Sequence, residues 1–200
     1  MRIWTSEVLI ALIACLLLSA CDEVAGTFGG SQAGQPFTAT RLVGDSVTLV
    51  APRGYCIEKR SVRRGTRSAF ALIARCDTLG AGGYFDSDDL ALITVTVEST
   101  NLSTQPDMQD VELSLQPAKP TRSRTISGIP FVRVTDTRHS VDGASARVWR
   151  SAFLVNGNMV ALALYAEDGS AMLGDDGARL LADLARRTQQ ASTAAESPAG

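Results

Sequence analysis

The chain has 200 residues, 45% of them hydrophobic and 20% charged, enough for one domain with a real core and not comfortably enough for two. That composition excludes a disordered chain, a collagen-like fibre and a polytopic membrane protein. A formal net charge of −2 gives no global attraction to nucleic acid, and a single histidine excludes any site that needs two.

At the N-terminus, Met1 and Arg2 precede an unbroken apolar run from Val8 to Leu18 (VLIALIACLLL), with Glu7 an awkward acid beside it. Eleven helical residues span roughly 16 Å, about half the hydrocarbon core of a bilayer, which is signal-peptide length rather than a stable transmembrane anchor. Residues 1–20 therefore read as a signal peptide. The four residues that follow the run, Leu18-Ser19-Ala20-Cys21, resemble the lipobox of bacterial lipoproteins. The resemblance implies a diacylglycerol on the Cys21 sulfur, cleavage just before Cys21 and acylation of the new N-terminus. Two or three acyl chains, at about 0.8 kcal/mol per buried CH₂, exceed the marginal grip of one. The alternative is an ordinary secretory signal with Cys21 a spare thiol. Asp22 resembles the residue that retains enteric lipoproteins in the inner membrane, so the expected place is the periplasmic face of a bacterial membrane, inner ahead of outer. Seventeen arginines against two lysines suggest a high-GC genome, which argues against an enteric source.

Residues 21–36 carry the lipidated cysteine and a tether rich in glycine and small polar residues, with a root-mean-square reach of about 20 Å. A single α+β domain is expected over 37–188, and the polar tail 189–200 (QQASTAAESPAG) reads as disordered. The domain begins with an alternating strand at Ser46–Ala51, stopped by Pro52, which continues across Arg53-Gly54 into Tyr55–Ile57. Ser68–Cys76 reads as a buried strand with Phe70, Leu72, Ala74 and Cys76 on one face. Leu90–Glu98 alternates cleanly, Ile93, Val95 and Val97 opposing Thr94, Thr96 and Glu98. A weaker helix starts near Pro106, using Met108, Val111 and Leu115, and a strand over Phe131–Thr137 follows the break at Gly128-Ile129-Pro130.

The strongest local signal is Asn156-Gly157 between Val148–Val155 and Met159–Tyr165. A two-residue Asn-Gly loop favours a type I′ turn and fixes the register, Phe153 against Val160, Ser151 against Leu162 and Trp149 against Leu164. The opposite face (Arg150, Ala152, Leu154, Ala161, Ala163) is small enough for a helix to pack closely. The closing helix is expected over Gly177–Arg187, with Asp175 and Asp176 before it and Arg186-Arg187 at its end, matching the helix dipole. The sum is an α+β fold, an antiparallel sheet of about five or six strands with a C-terminal helix on one face. This element order is loosely similar to small domains of the PsbP/Mog1 type, although no motif carries the likeness and fold analogy delivers no function.

Four cysteines set the compartment. Cys15 leaves with the signal and Cys21 carries lipid, so Cys56 and Cys76 remain as a disulfide in an oxidising periplasm. The redox alternative lacks C-x-x-C spacing, and a metal site would have only His139 as a nitrogen ligand. No metal and no cofactor are expected.

Catalytic chemistry is sparse. His139-Ser140 lie between Asp136 and Asp142, but G-x-S-x-G, S-x-x-K and H-E-x-x-H are absent, so His139 reads as a solvated loop residue. The acids Asp86, Asp88 and Asp89, with Ser87 among them and Asp77 upstream, lack the EF-hand pattern and read as a solvated loop rather than a calcium site. The basic segment is richer: Arg53, Lys59, Arg60, Arg63, Arg64, Arg67 and Arg75 face one acid, Glu58. Pinned at its ends by a Cys56–Cys76 bridge, such a loop suits anionic headgroups, at up to ~1 kcal/mol per basic residue near a surface, an acidic partner protein or a polyanionic polymer. Its bland reading is a solubilising surface loop. The expected function is thus a non-enzymatic envelope lipoprotein, tethered to a membrane and binding or scaffolding a partner through Arg53, Lys59, Arg60, Arg63, Arg64 and Arg67. The alternatives are an envelope hydrolase using His139 with a nearby aspartate, and a small-ligand carrier with a cavity between sheet and helix.

Overall fold

The computed structural model describes residues 37–79, 91–137 and 141–196. The signal peptide, lipobox and tether, the acidic stretch Asp86–Asp89, and His139 with Ser140 lie outside the described residues.

An eight-stranded antiparallel sheet forms the centre of the fold, in the order β3-β5-β6-β10-β9-β8-β7, with β4 also pairing β5. The strands are β3 (Tyr55–Ile57), β4 (Arg63–Arg64), β5 (Ser68–Arg75), β6 (Ala91–Ser99), β7 (Pro120–Ile126), β8 (Ile129–Thr135), β9 (Arg147–Val155) and β10 (Asn158–Ala166). Two further strands, β1 (Ala39–Leu42) and β2 (Val47–Val50), make a separate hairpin. The helices are a single turn α1 (Cys76–Leu79), the short α2 (Met108–Ser114) and the long α3 (Asp175–Glu196). The architecture is α+β as expected, but the sheet is wider than five or six strands.

The β9–β10 hairpin has the register the Asn-Gly turn dictates: Phe153 pairs with Val160, Ser151 with Leu162 and Trp149 with Leu164. Asn156 and Gly157 sit at φ 48° and 68°, the left-handed pair a type I′ turn requires. β6 keeps its alternation, with Ile93, Val95 and Val97 fully buried. These residues, Trp149, Phe153 and Leu162 face Leu181, Leu184 and Ala185 of α3, and Leu42, Val47 and Leu49 of the β1–β2 hairpin join the same cluster. The long helix therefore covers the face with the large side chains, and the small-residue face of the hairpin goes to α2. There Val111 packs with Val132 and Val134, and Met108, Leu115 and Ala152 lie around them. Asp107 caps α2 with a capping box, its side chain accepting from Asp110 N–H while Asp110 accepts from Asp107 N–H.

Several elements depart from the sequence reading. The strand at Ser46–Ala51 does not continue into Tyr55–Ile57: an unexpected β1 takes β2 into its own hairpin, and β3 joins the large sheet beside β5. β5 turns the other way: Ala69, Ala71 and Ile73 face the core, while Phe70 and Leu72 are half-buried on the far face. Hydrophobic residues at every position from 69 to 74 leave the phase of a strand undetermined, and pairing with β6 decides it. β7 was not expected, because an edge strand of sequence PTRSRTI carries no apolar alternation. The turn that joins it to β8, Ser127-Gly128, has φ 52° and 77°, the same mirror-image geometry as Asn156-Gly157. Finally, α3 does not stop at Arg187 but runs to Glu196. Thr188 and Ser192, one turn apart, are buried against β2, where their hydroxyls accept from the Val50 and Thr48 N–H groups at 3.4 and 2.9 Å. Small polar residues that look unfit for a core act here as acceptors for an open strand edge.

Where α3 meets the sheet, the fit is close. Trp149 is fully buried and its indole donates to the Gly174 carbonyl at 3.0 Å. A Cβ on Gly177 would lie 2.0 Å from the Met172 carbonyl oxygen and 3.0 Å from the Trp149 ring. Gly177→Ala is expected to destabilise the protein by about 1–3 kcal/mol in urea denaturation through overpacking at this joint. Leu113→Ala, at a position 54% exposed on α2, is expected to stay within about 0.5 kcal/mol. Equal effects of the two substitutions would contradict the packing account.

Candidate functional site

The basic segment is an interrupted edge strand rather than a free loop. β3 pairs the lower half of β5, Tyr55 with Arg75 through Ile57 with Ile73, and β4 pairs the upper half, Arg63 with Phe70 and Arg64 with Ala69. Between them the chain makes one 3₁₀ turn at Lys59–Ser61, capped by Glu58, whose carboxylate accepts from Arg60 N–H. Ser61 secures the turn, its hydroxyl donating to the Glu58 carbonyl and accepting from Leu72 N–H. Arg53, Lys59, Arg60, Arg63, Arg64 and Arg67 are all exposed along this edge. At about 3.3 Å per residue, the strip follows β5 for ~25 Å.

The Cys56–Cys76 disulfide closes the base of the strip, joining β3 to the first residue after β5 across a sequence separation of 20. Cys76 N–H also donates to the Gly54 carbonyl at 3.0 Å. Arg75, part of the basic run in sequence, is drawn off by Asp77 at 2.8 Å. That hydrogen bond holds the Asp77 carboxyl below the usual carboxylate range. Asp77 is therefore occupied, and no group of three or more metal-ligating side chains occurs among the described residues.

Ion pairing divides the arginines sharply. Arg41, Arg75, Arg122, Arg124, Arg147, Arg150, Arg179, Arg186 and Arg187 each meet an aspartate. Arg133 instead lies over the Trp149 ring at 5.9 Å and donates to the Leu173 carbonyl. None of the six edge cations has a carboxylate within ion-pair distance among the described residues. Their contacts are with neutral groups: Arg63 donates to the Arg60 carbonyl, and Arg64 to the Arg41 carbonyl and the Thr40 hydroxyl. Lys59 sits 5.4 Å above the Phe37 ring, and the Phe37 carbonyl accepts from Ile57 N–H at 2.7 Å. Phe37, the first described residue, thus lies beside Lys59 and β3.

Four of the paired aspartates, Asp168, Asp175, Asp176 and Asp183, lie in or just before α3. Asp168 is held below its ordinary range first by the Ser145 hydroxyl and then by Arg147. Desolvation pushes Asp175 upward, but the Arg124 hydrogen bond and the charges of Arg122, Arg124 and Arg179 outweigh it. Asp183 behaves alike, desolvation being overridden by Arg187 and Arg186. Sequence reasoning had no handle on this second arginine group, because it is assembled from β7, β8, β9 and the start of α3. Of the residues flanking His139, Asp136 is engaged with Arg150 at 3.3 Å.

Removal of the bridge in a Cys56→Ser, Cys76→Ser double variant is expected to lower stability by about 3 kcal/mol in urea denaturation. An unchanged midpoint would show that strand pairing alone holds the edge. The aspartates set the acid limit. Each has a folded pKa below the ordinary aspartate value of 3.8, so its stabilisation is complete above that value and is lost as pH falls through the lowered one. The thermal midpoint is expected to hold from neutral pH to about 5 and to fall below about 4, with a shallower fall in Asp175→Asn. A profile flat to about pH 2 would contradict this.

No family model, no curated protein and no solved structure matches the chain.

Proposed function

We propose that the protein is a non-enzymatic bacterial envelope lipoprotein, anchored through Cys21, that lays the cationic edge formed by Arg53, Lys59, Arg60, Arg63, Arg64 and Arg67 against an anionic surface. The observation that carries this reading is the segregation of charge: nine arginines elsewhere each meet an aspartate, while the edge cations have no carboxylate within ion-pair distance among the described residues. Exposed charges in high dielectric gain little from one another, but each adds up to ~1 kcal/mol against a surface rich in anionic headgroups, within a Debye length of about 8–10 Å. Anionic lipid is the binding partner this geometry serves best, since a 25 Å strip needs only a diffuse field and no shaped pocket. The acyl chains hold the protein at the membrane, and the edge orients it there.

Two measurements test the proposal. Intact-mass analysis of the protein from bacterial membranes is expected to find Cys21 diacylated, and Cys21→Ser to release the protein from the membrane. Recovery of wild type with an unmodified Cys21 would remove the anchor. Separately, the unlipidated Cys21→Ser chain is mixed with phosphatidylcholine vesicles with and without phosphatidylglycerol. Changing Arg60, Arg63, Arg64 and Arg67 together to serine is expected to weaken binding to the anionic vesicles by at least about tenfold, ~1.4 kcal/mol, with no effect on the neutral ones. Equal binding of both forms would show that the edge is solubilising surface only.

A further inference from the structure

The second arginine group lies at the opposite edge of the sheet from the β3–β4 strip, on the face that α3 covers. Strand pairing sets Arg122 of β7 directly opposite Arg133 of β8. On the next strand Arg147 pairs with Thr135, two residues from Arg133, and so stands diagonal to it on the same face. Arg124, two residues along β7 from Arg122, completes the group. Like charges directly across a strand pair are destabilising, and here the repulsion extends over three neighbouring strands.

The acids nearby do not balance it. Asp175 serves both Arg122 and Arg124, Asp168 serves Arg147, and Asp176 is taken by Arg179. Arg133, in the middle, meets no carboxylate among the described residues; it donates to the Thr121 hydroxyl and the Leu173 carbonyl instead. Four guanidinium groups thus share two carboxylates, an excess of two positive charges. Arg133 feels that excess: its pKa is lowered first by desolvation and then by the charges of Arg147 and Arg122, with Asp175 acting against them.

Unused donors remain within reach of solvent. Arg122 gives one terminal nitrogen to Asp175, and Arg133 and Arg147 each use Nε and one terminal nitrogen. Each of the three therefore keeps a terminal nitrogen without a hydrogen-bond partner. None of these nitrogens is buried, since Arg150 Nε, on the far face of the sheet, is the only buried side-chain nitrogen or oxygen without a partner among the described residues. Charge and shape then select the ligand. A carboxylate brings one charge and two oxygens; a phosphate monoester brings nearly two charges at neutral pH and three acceptor oxygens, one for each of these arginines.

We propose that this corner of the sheet binds the phosphoryl group of a phosphate monoester, whose terminal oxygens accept from Arg122, Arg133 and Arg147. The site is independent of the cationic edge and stands whether or not that edge meets a membrane.

The test is calorimetric titration of the full-length chain with glycerol 3-phosphate and with acetate. Glycerol 3-phosphate is expected to bind with millimolar or tighter affinity, at least about tenfold more tightly than acetate. Arg133→Met, which keeps an apolar stem over Trp149, is expected to weaken that binding by at least about tenfold. Arg147→Gln, at a side chain 43% exposed and away from the Trp149 joint, is expected to weaken it likewise and leaves Asp168 on the Ser145 hydroxyl. Changing Arg60, Arg63, Arg64 and Arg67 together to serine is expected to leave the affinity for glycerol 3-phosphate as it is. Dihexanoyl phosphatidate, titrated below its micelle concentration, separates the sources: tighter binding than glycerol 3-phosphate assigns the phosphoryl group to a lipid headgroup, and equal or weaker binding to a soluble ester. The proposal is overturned if glycerol 3-phosphate shows no saturable binding, if acetate binds as tightly, or if either arginine variant folds and keeps the full affinity. Loss of binding in the serine variant would place the phosphate on the β3–β4 edge and overturn it as well.

Discussion

The arrangement of the whole domain depends on how one end of α3 is fixed to the sheet at Trp149. The indole is buried in the middle of β9 and reaches the Gly174 carbonyl just before the helix begins. Gly177 lets the first turn come down onto the ring, and Arg133 closes over its other side. Asp175, the first helical residue, holds Arg122 and Arg124 of β7, so the same joint ties the edge strand to the helix. From this fixed start, 22 residues at 1.5 Å carry the helix about 33 Å. That length brings Thr188 and Ser192 to the backbone of β2, where Asn156 from the β9–β10 turn also donates to the Ser192 carbonyl. The β1–β2 hairpin is thereby located, and with it Thr40 and Arg41, which receive Arg64. The place of the cationic edge is thus the last consequence of a contact at the other end of the helix.

The two faces of the sheet answer different demands. On the α3 side, Ile93, Val95, Phe131, Phe153 and Leu164 exclude water and supply most of the apolar burial. On the far side the middle strands carry Ala152, Ala161 and Ala163, which leave space that the seven residues of α2 only partly fill. A longer helix there would bury Arg150 beyond rescue, since a guanidinium removed from water needs all of its donors met. Beside the short α2 the Arg150 side chain stays 23% exposed, and one of its terminal nitrogens donates to Asp136.

The parts of the fold that sequence reveals are those in which one local rule acts alone. The Asn-Gly turn sets the β9–β10 register, strict alternation marks β6, and cysteine bookkeeping across the export expectation leaves Cys56 and Cys76 as the pair. The parts it conceals are set by neighbours distant in sequence. The phase of β5 comes from its pairing with β6. β7 exists because β8 offers it an edge, and its arginines are held by Asp175 about fifty residues onward. The last turns of α3 are helical because β2 has free N–H groups to satisfy. The basic segment was visible as composition, but not as an edge: a two-residue strand and a 3₁₀ turn leave no periodic trace.

Net charge conceals what matters electrostatically. A chain at −2 would be dismissed as a partner for anions, yet four of its aspartates, Asp168, Asp175, Asp176 and Asp183, are spent on arginines around α3. On the β3–β4 edge six cations face a single acid, Glu58. Charged edges have a second physical use, since lysine and arginine on an outer strand discourage pairing with a second sheet. That use explains one or two cations on an edge already broken by a 3₁₀ turn, and β7, the opposite edge, manages with arginines that are held by Asp175. Six cations without a carboxylate partner among the described residues go beyond what edge protection requires, and their mutual repulsion is tolerable because solvent screens it. An anionic surface brought within a Debye length turns that repulsion into attraction without any change in the fold, and the disulfide beneath the strip keeps the charges from dispersing when it does.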